Sequence, residues 1–236
     1  MVSQLDSLNQ TEVIYPESDG QPMADNTKQF RWIVVIKQNL DWLYTDDSNV
    51  FVAGDLLWYP VEGRNTIVNA PDVMVVFGRP QDDRGSYKQW EEEGIAPQVV
   101  FEIRSPSNSQ IEMDKKLLFY DRYGVEEYYI YNPNKNVLNG WLRAEDGLDA
   151  IEQMNGWVSP RLGIRFNLSG EELQIYRPYG NKFYSYVEIY QLLEQEQQRT
   201  EQERQRAEQA EQRVEEMEAL LKQYRDRFGE LPESDE

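Results

Sequence analysis

The sequence predicts a mixed α/β domain followed by a long coiled-coil helix. Three observations lead there. Stretches rich in β-branched and aromatic residues, bounded by Gly or Pro, are interleaved with two stretches of helical character before residue 135. With 39% apolar and 12% aromatic residues, the 236-residue chain can bury a sizeable core despite a mean hydropathy of −0.77. Residues 191 to 236 are different in kind, holding 14 acidic residues, 7 basic residues and 9 Gln, with no Gly or Pro before Gly229.

The opening runs through Pro16, Gly20 and Pro22 and reads as loop. Asn26 or Thr27 can cap a helix over 28 to 44. Three strands are expected at 51 to 60, 72 to 78 and 98 to 104. A helix over 110 to 123 follows, with Gly124 placed to end it. The run from 126 to 133 is a further strand, stopped by Asn132-Pro133, and the Gly-punctuated residues 137 to 177 read as hairpins. The expected divisions are an N-terminal arm at 1 to 14, the domain at 15 to 186, a helical coiled coil at 187 to 230 and an acidic end at 231 to 236.

The coiled-coil reading rests on Ala207, Ala210, Val214, Met217, Leu221, Tyr224, Phe228 and Leu231, whose alternating spacing of three and four makes one narrow stripe. Upstream the same register lands on Thr200 and Glu203, a weakly specified stem. A homodimer or higher oligomer through residues 207 to 231 is expected, since the stripe is narrower than the face a globular helix buries. The alternative is a single helix folded back on the domain.

Composition excludes whole classes of chemistry. With no cysteine and no histidine, disulfides, thiolate metal sites, His bases and Ser-His triads are all absent. The net charge of −19, of which −12 belongs to residues 1 to 190, opposes indiscriminate attraction to nucleic acid or anionic membrane. No apolar run approaches the ~20 residues of a bilayer span, and Met1 to Gln10 lacks the apolar core of a signal peptide. A cytoplasmic protein with no membrane partner is expected. No phosphate-binding loop or dinucleotide fingerprint occurs. The Glu91-Glu92-Glu93 run reads as a solvated turn or helix start, and Asp82-Asp83 as loop.

Two carboxylates and a lysine stand out. Asp72 opens a strand after Pro71, and Glu102 interrupts the apolar run from Val99 to Ile103. Alternation sets Glu102 on the face of Val100 and Arg104. There it is either an ordinary half-exposed acid or, lining a cleft, a metal ligand. On the following helix, at about 100° per residue, Phe119, Tyr123, Tyr120, Met113 and Leu117 share an arc with Lys116 in its middle and Glu112 one turn earlier. Lys116 either pairs locally with Glu112 or turns inward to meet a carboxylate or phosphate.

The strings YPESDGQPMAD (15 to 25), APDVMVVFG (70 to 78), SYKQWEEEGIAP (86 to 97), VVFEIRSPSNS (99 to 109), DKKLLFYDRYGVEEYYIYNP (114 to 133) and LNGWLR (138 to 143) resemble, in that order, the Uma-two family of restriction endonucleases. The resemblance spans roughly residues 15 to 185. It implies a restriction-endonuclease-like mixed sheet flanked by helices, of the PD-(D/E)XK superfamily, with Mg²⁺-dependent phosphodiester cleavage, Mn²⁺ being a possible substitute. Asp72 and Glu102 match the two acids of the superfamily motif, and these with the carbonyl of Ile103 are the implied metal ligands. Where the motif usually ends in lysine this chain has Arg104, a phosphate-binding group unable to act as a base. The lysine instead matches Lys116, four residues before Tyr120, with Glu112 standing where relatives often carry Asp. Relatives also often have Asp at Asn132 and Asp or a similar residue at Gln98. The implied catalytic set is Asp72, Glu102 and Lys116, supported by Glu112, Arg104 and Tyr120.

Two functions follow. The first is a DNA endonuclease; the second is a catalytically inactive nuclease-fold interaction protein that assembles through its coiled coil. Between 79 and 122 there are 9 acidic and 7 basic residues, so DNA binding would need Arg79, Arg84, Lys88, Arg104 and Lys115 to converge in space.

Overall fold

A computed structural model of the protein describes residues 13–229. The start of the N-terminal arm, Leu231 of the helical stripe and the acidic end lie outside the described residues. The chain divides into two compact units, meeting at Ser185 and Tyr186.

The first unit is built on a six-stranded mixed sheet. Its strands are β1 (Val50–Gly54), β3 (Val73–Phe77), β5 (Val99–Ile103), β6 (Glu127–Asn132), β7 (Val137–Arg143) and β8 (Leu148–Ala150), in the order β1-β3-β5-β6-β7-β8. Only β5 and β6 run parallel; the other neighbours are antiparallel. The crossover between the parallel pair is helix α2 (Gln110–Arg122), as parallel strands require. Helix α1 (Thr27–Leu43) precedes the sheet. Short strands β2 (Trp58–Tyr59) and β4 (Tyr87–Lys88) pair in parallel, and β9 (Arg165–Asn167) and β10 (Gln174–Tyr176) form an antiparallel pair.

Both faces of the sheet are covered, so its central strands are apolar on both sides. Val73, Val75, Val99, Phe101 and Ile103 pack with Trp32, Ile33, Ile36 and Leu40 of α1 and with Phe166 and Ile175. The alternate residues Met74, Val76, Val100, Tyr128 and Ile130 pack with Met113 and Tyr120 of α2. Of the two expected caps of α1, Asn26 is the one used, and α2 starts on a cap not named in the sequence reading. Asn26 Oδ1 accepts from the amides of Lys28 and Gln29, and Ser109 and Glu112 form a reciprocal capping box. Gly124, at φ 92°, follows the last turn of α2.

One expected strand is divided. Residues 51 to 60 form β1 and β2, because Asp55 takes up a left-handed backbone at φ 50° and leaves the ladder. The expected hairpin region 137 to 177 contains the β7–β8 and β9–β10 pairs. Glu92 is a further correction. It is no solvated turn residue, because Arg79 and Arg84 both donate to its carboxylate at 2.7 and 2.6 Å and only 12% of its side chain is exposed.

The second unit is a single helix, α3 (Tyr186–Phe228), with no buried residue along its 43 positions. Among the described residues no helix is long and apolar enough to cross a membrane.

Candidate active site

Strand register brings the two acids together. Val73 pairs with Phe101 in the antiparallel β3–β5 ladder, so the next position along sets Asp72 opposite Glu102. Both are nearly sealed, at 7% and 2% exposure. The amide of Ile103 donates to Asp72 Oδ2 at 2.5 Å, which fixes that carboxylate against the end of β5.

Glu102 faces α2. Lys116 Nζ donates to its Oε2 at 2.6 Å, and the Tyr120 hydroxyl donates to its Oε1 at 2.5 Å. The four-residue spacing of Lys116 and Tyr120 stacks both side chains over one strand residue. Tyr120 is itself held, its ring parallel to Trp58 at 6.2 Å and edge-on to Tyr128 at 4.8 Å. Lys116 keeps 25% of its side chain exposed, so its ammonium sits between the buried acid and the cleft. The local pair with Glu112 does not form, because Glu112 turns back to the amide of Ser109.

Sequence reasoning missed two members of this neighbourhood. Gln29, buried on α1, donates through Nε2 to the Ile103 carbonyl at 3.0 Å, while its Oε1 accepts from the amide of Asp25 at 2.9 Å. Asp55 lies beside Asp72, its amide donating to the carbonyls of Pro71 and Asp72. The Gly54-Asp55 break in an apolar run was the available signal for a turn there, but nothing local shows that the turn ends at the acid pair.

Electrostatics follow from burial. Desolvation pushes the Asp72 carboxyl well above the usual range, and the Glu102 charge adds to it against the opposing pull of Lys116. Asp55 is raised by burial, then by Asp19. Burial acts to lower Lys116, but Glu102 and Asp72 outweigh it and the ammonium is held above its ordinary value. The Tyr120 hydroxyl is raised well above its normal value by burial and by Glu102. Tyr128, in the same layer, has a buried hydroxyl with no hydrogen-bond partner among the described residues.

Asp72 and Lys116 border a cleft of about 620 Å³, lined also by Asp19, Asp55, Glu112 and Lys115 among others, while Glu102 and Tyr120 lie behind them, buried. On its rim the Ser105 and Ser107 hydroxyls donate to the Asp25 carboxylate. Arg104 is not part of the cluster. It donates to Gln110 and lines an adjoining hollow with Asn132 and Lys135. Of the cations expected to converge, Arg79 and Arg84 are occupied by Glu92, and Lys88 by Glu91; Lys115 alone of the five borders the cleft. Gln98 and Asn132 have structural partners: Gln98 accepts from the Phe77 amide, and Asn132 accepts from the amides of Asn134 and Lys135.

Among the described residues no three acidic side chains form a ready-made cation cage. The pair nevertheless has the chemistry for a hard divalent cation. Two sealed carboxylates face one partly exposed ammonium, and the donors are all oxygen.

The family model for Uma2, described as "Putative restriction endonuclease", matches residues 28–217. No curated protein matches the sequence. Among solved structures, similarity is found to a "putative nuclease belonging to DUF820" from Anabaena variabilis ATCC 29413. It has 14% identity and a TM-score of 0.43, with 57% of this chain and 72% of that chain covered.

Proposed function

This chain belongs to the Uma2 family, and on that premise we propose that it is a magnesium-dependent DNA endonuclease that hydrolyses phosphodiester bonds. The observation that carries the proposal is the meeting of Asp72 and Glu102 across two strand ends with Lys116 bonded to Glu102.

Asp72, Glu102 and the Ile103 carbonyl would hold Mg²⁺, with Mn²⁺ as a substitute. When bound, such a cation supplies charge neutralisation at the scissile phosphate and acidifies water. The protein's own groups do the rest. Lys116 reaches from the buried acid toward the cleft, where its ammonium can orient the attacking water or stabilise charge developing on phosphate oxygen. Tyr120 fixes the rotation of the Glu102 carboxylate, the Ile103 amide fixes Asp72, and Gln29 fixes the Ile103 carbonyl. Backbone contacts to DNA fall to Lys115 at the cleft and to Arg104 and Lys135 in the adjoining hollow. Self-association through α3 would present two such sites to the two strands of a duplex.

The test is calorimetric titration of Mg²⁺ into the wild type and Glu102→Gln, followed by plasmid nicking with Asp72→Ala, Glu102→Ala and Lys116→Ala. Binding lost in Glu102→Gln, with cleavage lost in all three folded variants, supports the assignment. Equal cleavage by the wild type and all three defeats it.

A further inference from the structure

Helix α3 exposes an apolar stripe along its C-terminal half. From Val214 to Phe228 the large apolar side chains are 48 to 66% exposed, and an isolated amphipathic helix gains little stability without a partner for that face. The residues flanking the stripe say what the partner is. With Ala207, Val214, Leu221 and Phe228 at the first core position of each heptad and Ala210, Met217 and Tyr224 at the second, the side preceding each first position carries Arg206, Arg213 and Leu220. The side following each second position carries Glu211, Glu218 and Arg225.

In a parallel, in-register pair, each residue of the first set meets the residue five positions on in the other chain. Arg206 then meets Glu211, Arg213 meets Glu218, and Leu220 lies along the stem of Arg225. Twofold symmetry doubles each contact. In an antiparallel pair each set meets itself, placing Arg206 and Arg213 against arginine and Glu211 and Glu218 against glutamate.

A second observation agrees. In the stem, Arg199 pairs with Glu196 and Glu203, and Arg204 pairs with Glu201 and Glu208, all within one chain. Among the described residues Arg206, Glu211, Arg213 and Glu218 have no ion pair within the chain. The stem's core positions, Glu196, Thr200 and Glu203, are polar and would place like charges together.

We infer that this chain forms a parallel, in-register homodimer zipped over residues 206 to 228, about 33 Å of helix, with the stem from 196 to 204 left unzipped. This deepens the self-association proposed above and is independent of the cleavage chemistry. Because each chain enters α3 at Tyr186, a parallel pair brings the N-terminal ends of both helices to the same end of the zipper.

The natural chain contains no cysteine, so one introduced thiol reports its own counterpart. In the full chain, Ala210→Cys and Met217→Cys are each oxidised under glutathione, beside mass measurement of the unoxidised protein by light scattering. A parallel in-register dimer cross-links at both positions. An antiparallel pair meets its own counterpart at no more than one; if that were Ala210, the two copies of Met217 would lie about 21 Å apart. A dimeric mass with cross-linking at one position or neither overturns the polarity alone. A monomeric mass overturns the self-association as well, and neither result touches the nuclease reading. The charge arm is Glu211→Lys with Glu218→Lys, and Arg206→Glu with Arg213→Glu. Each double variant should dissociate at least about tenfold more readily than the wild type, and mixing the two should restore a heterodimer. Unchanged association of the separate variants, or no association on mixing, overturns the pairing scheme.

Discussion

Replacing Lys116 with methionine tests whether the site is an electrostatic unit or a packing accident. The substitution keeps most of the side-chain volume and removes the cation 2.6 Å from Glu102, an acid whose side chain is 3% exposed. Removing one partner of a buried ion pair costs about 3–5 kcal/mol, because the remaining charge is stranded. The 25% exposure of Lys116 places this case at the lower end, about 3 kcal/mol. In a domain of this size that corresponds to about 6–12 °C in melting temperature. All six tryptophans lie in the first unit and none in α3, so tryptophan fluorescence in chelator-treated protein reports the unfolding of that unit alone. Adding Glu102→Gln should return about 2 kcal/mol, since the amide oxygen still accepts from Tyr120 and no charge is stranded. Lys115→Met, at the exposed neighbouring position, should change stability by less than about 0.5 kcal/mol. A loss below about 1 kcal/mol for Lys116→Met, or a double variant as unstable as the sum of the singles, would refute the coupled site.

Three further outcomes follow from the same geometry. Asp72→Asn keeps an acceptor for the Ile103 amide and removes a charge that burial and Glu102 disfavour; without metal it should melt higher than the wild type by a few degrees while losing cleavage, checked by fluorescence melts and plasmid nicking. Burial acts to raise the Glu92 carboxyl, but bonds from Arg84 and Arg79 outweigh it and hold it below the usual range. Its folded value therefore lies below its unfolded one, and the stability it contributes is present above about pH 4.5 and is lost as pH falls through the folded value. Glu92→Gln should cost about 1–3 kcal/mol at neutral pH, with a difference from wild type that narrows on acidification, read from urea midpoints. Finally, Arg104→Ala with Lys135→Ala should lower DNA affinity across sequences and reduce the slope of log affinity against log salt by about 2, measured by anisotropy in calcium.

Elements whose causes are local were legible in the amino-acid sequence. The Asn26 cap and Gly124 mark the start of α1 and the end of α2 because capping groups act within a turn; the Ser109–Glu112 box that starts α2 was a local signal left unread. The apolar runs at 73 to 77 and 99 to 103 became strands because both faces of their sheet are buried. The aromatic arc around Lys116 showed that it needs a partner, whether Glu112 or an acid inside, and the −12 charge of residues 1 to 190 warned that free cations would be scarce.

Contacts across the sheet and between layers belonged to the tertiary structure. The sequence left Lys116 with two possible partners; the packing of α2 on β5 selected Glu102, 14 residues away, over Glu112 on its own helix. Gln29 is separated from Ile103 by 74 residues, and neither its type nor its neighbours mark it until α1 lies on the sheet. Asp55 looked like part of a strand until its left-handed turn took it to the acid pair. Arg79 and Arg84 looked available for DNA until folding gave them Glu92. Periodicity along a chain is set by local backbone geometry, whereas the partner of a buried charge is chosen by which elements pack together, and that information is spread over residues far apart in sequence.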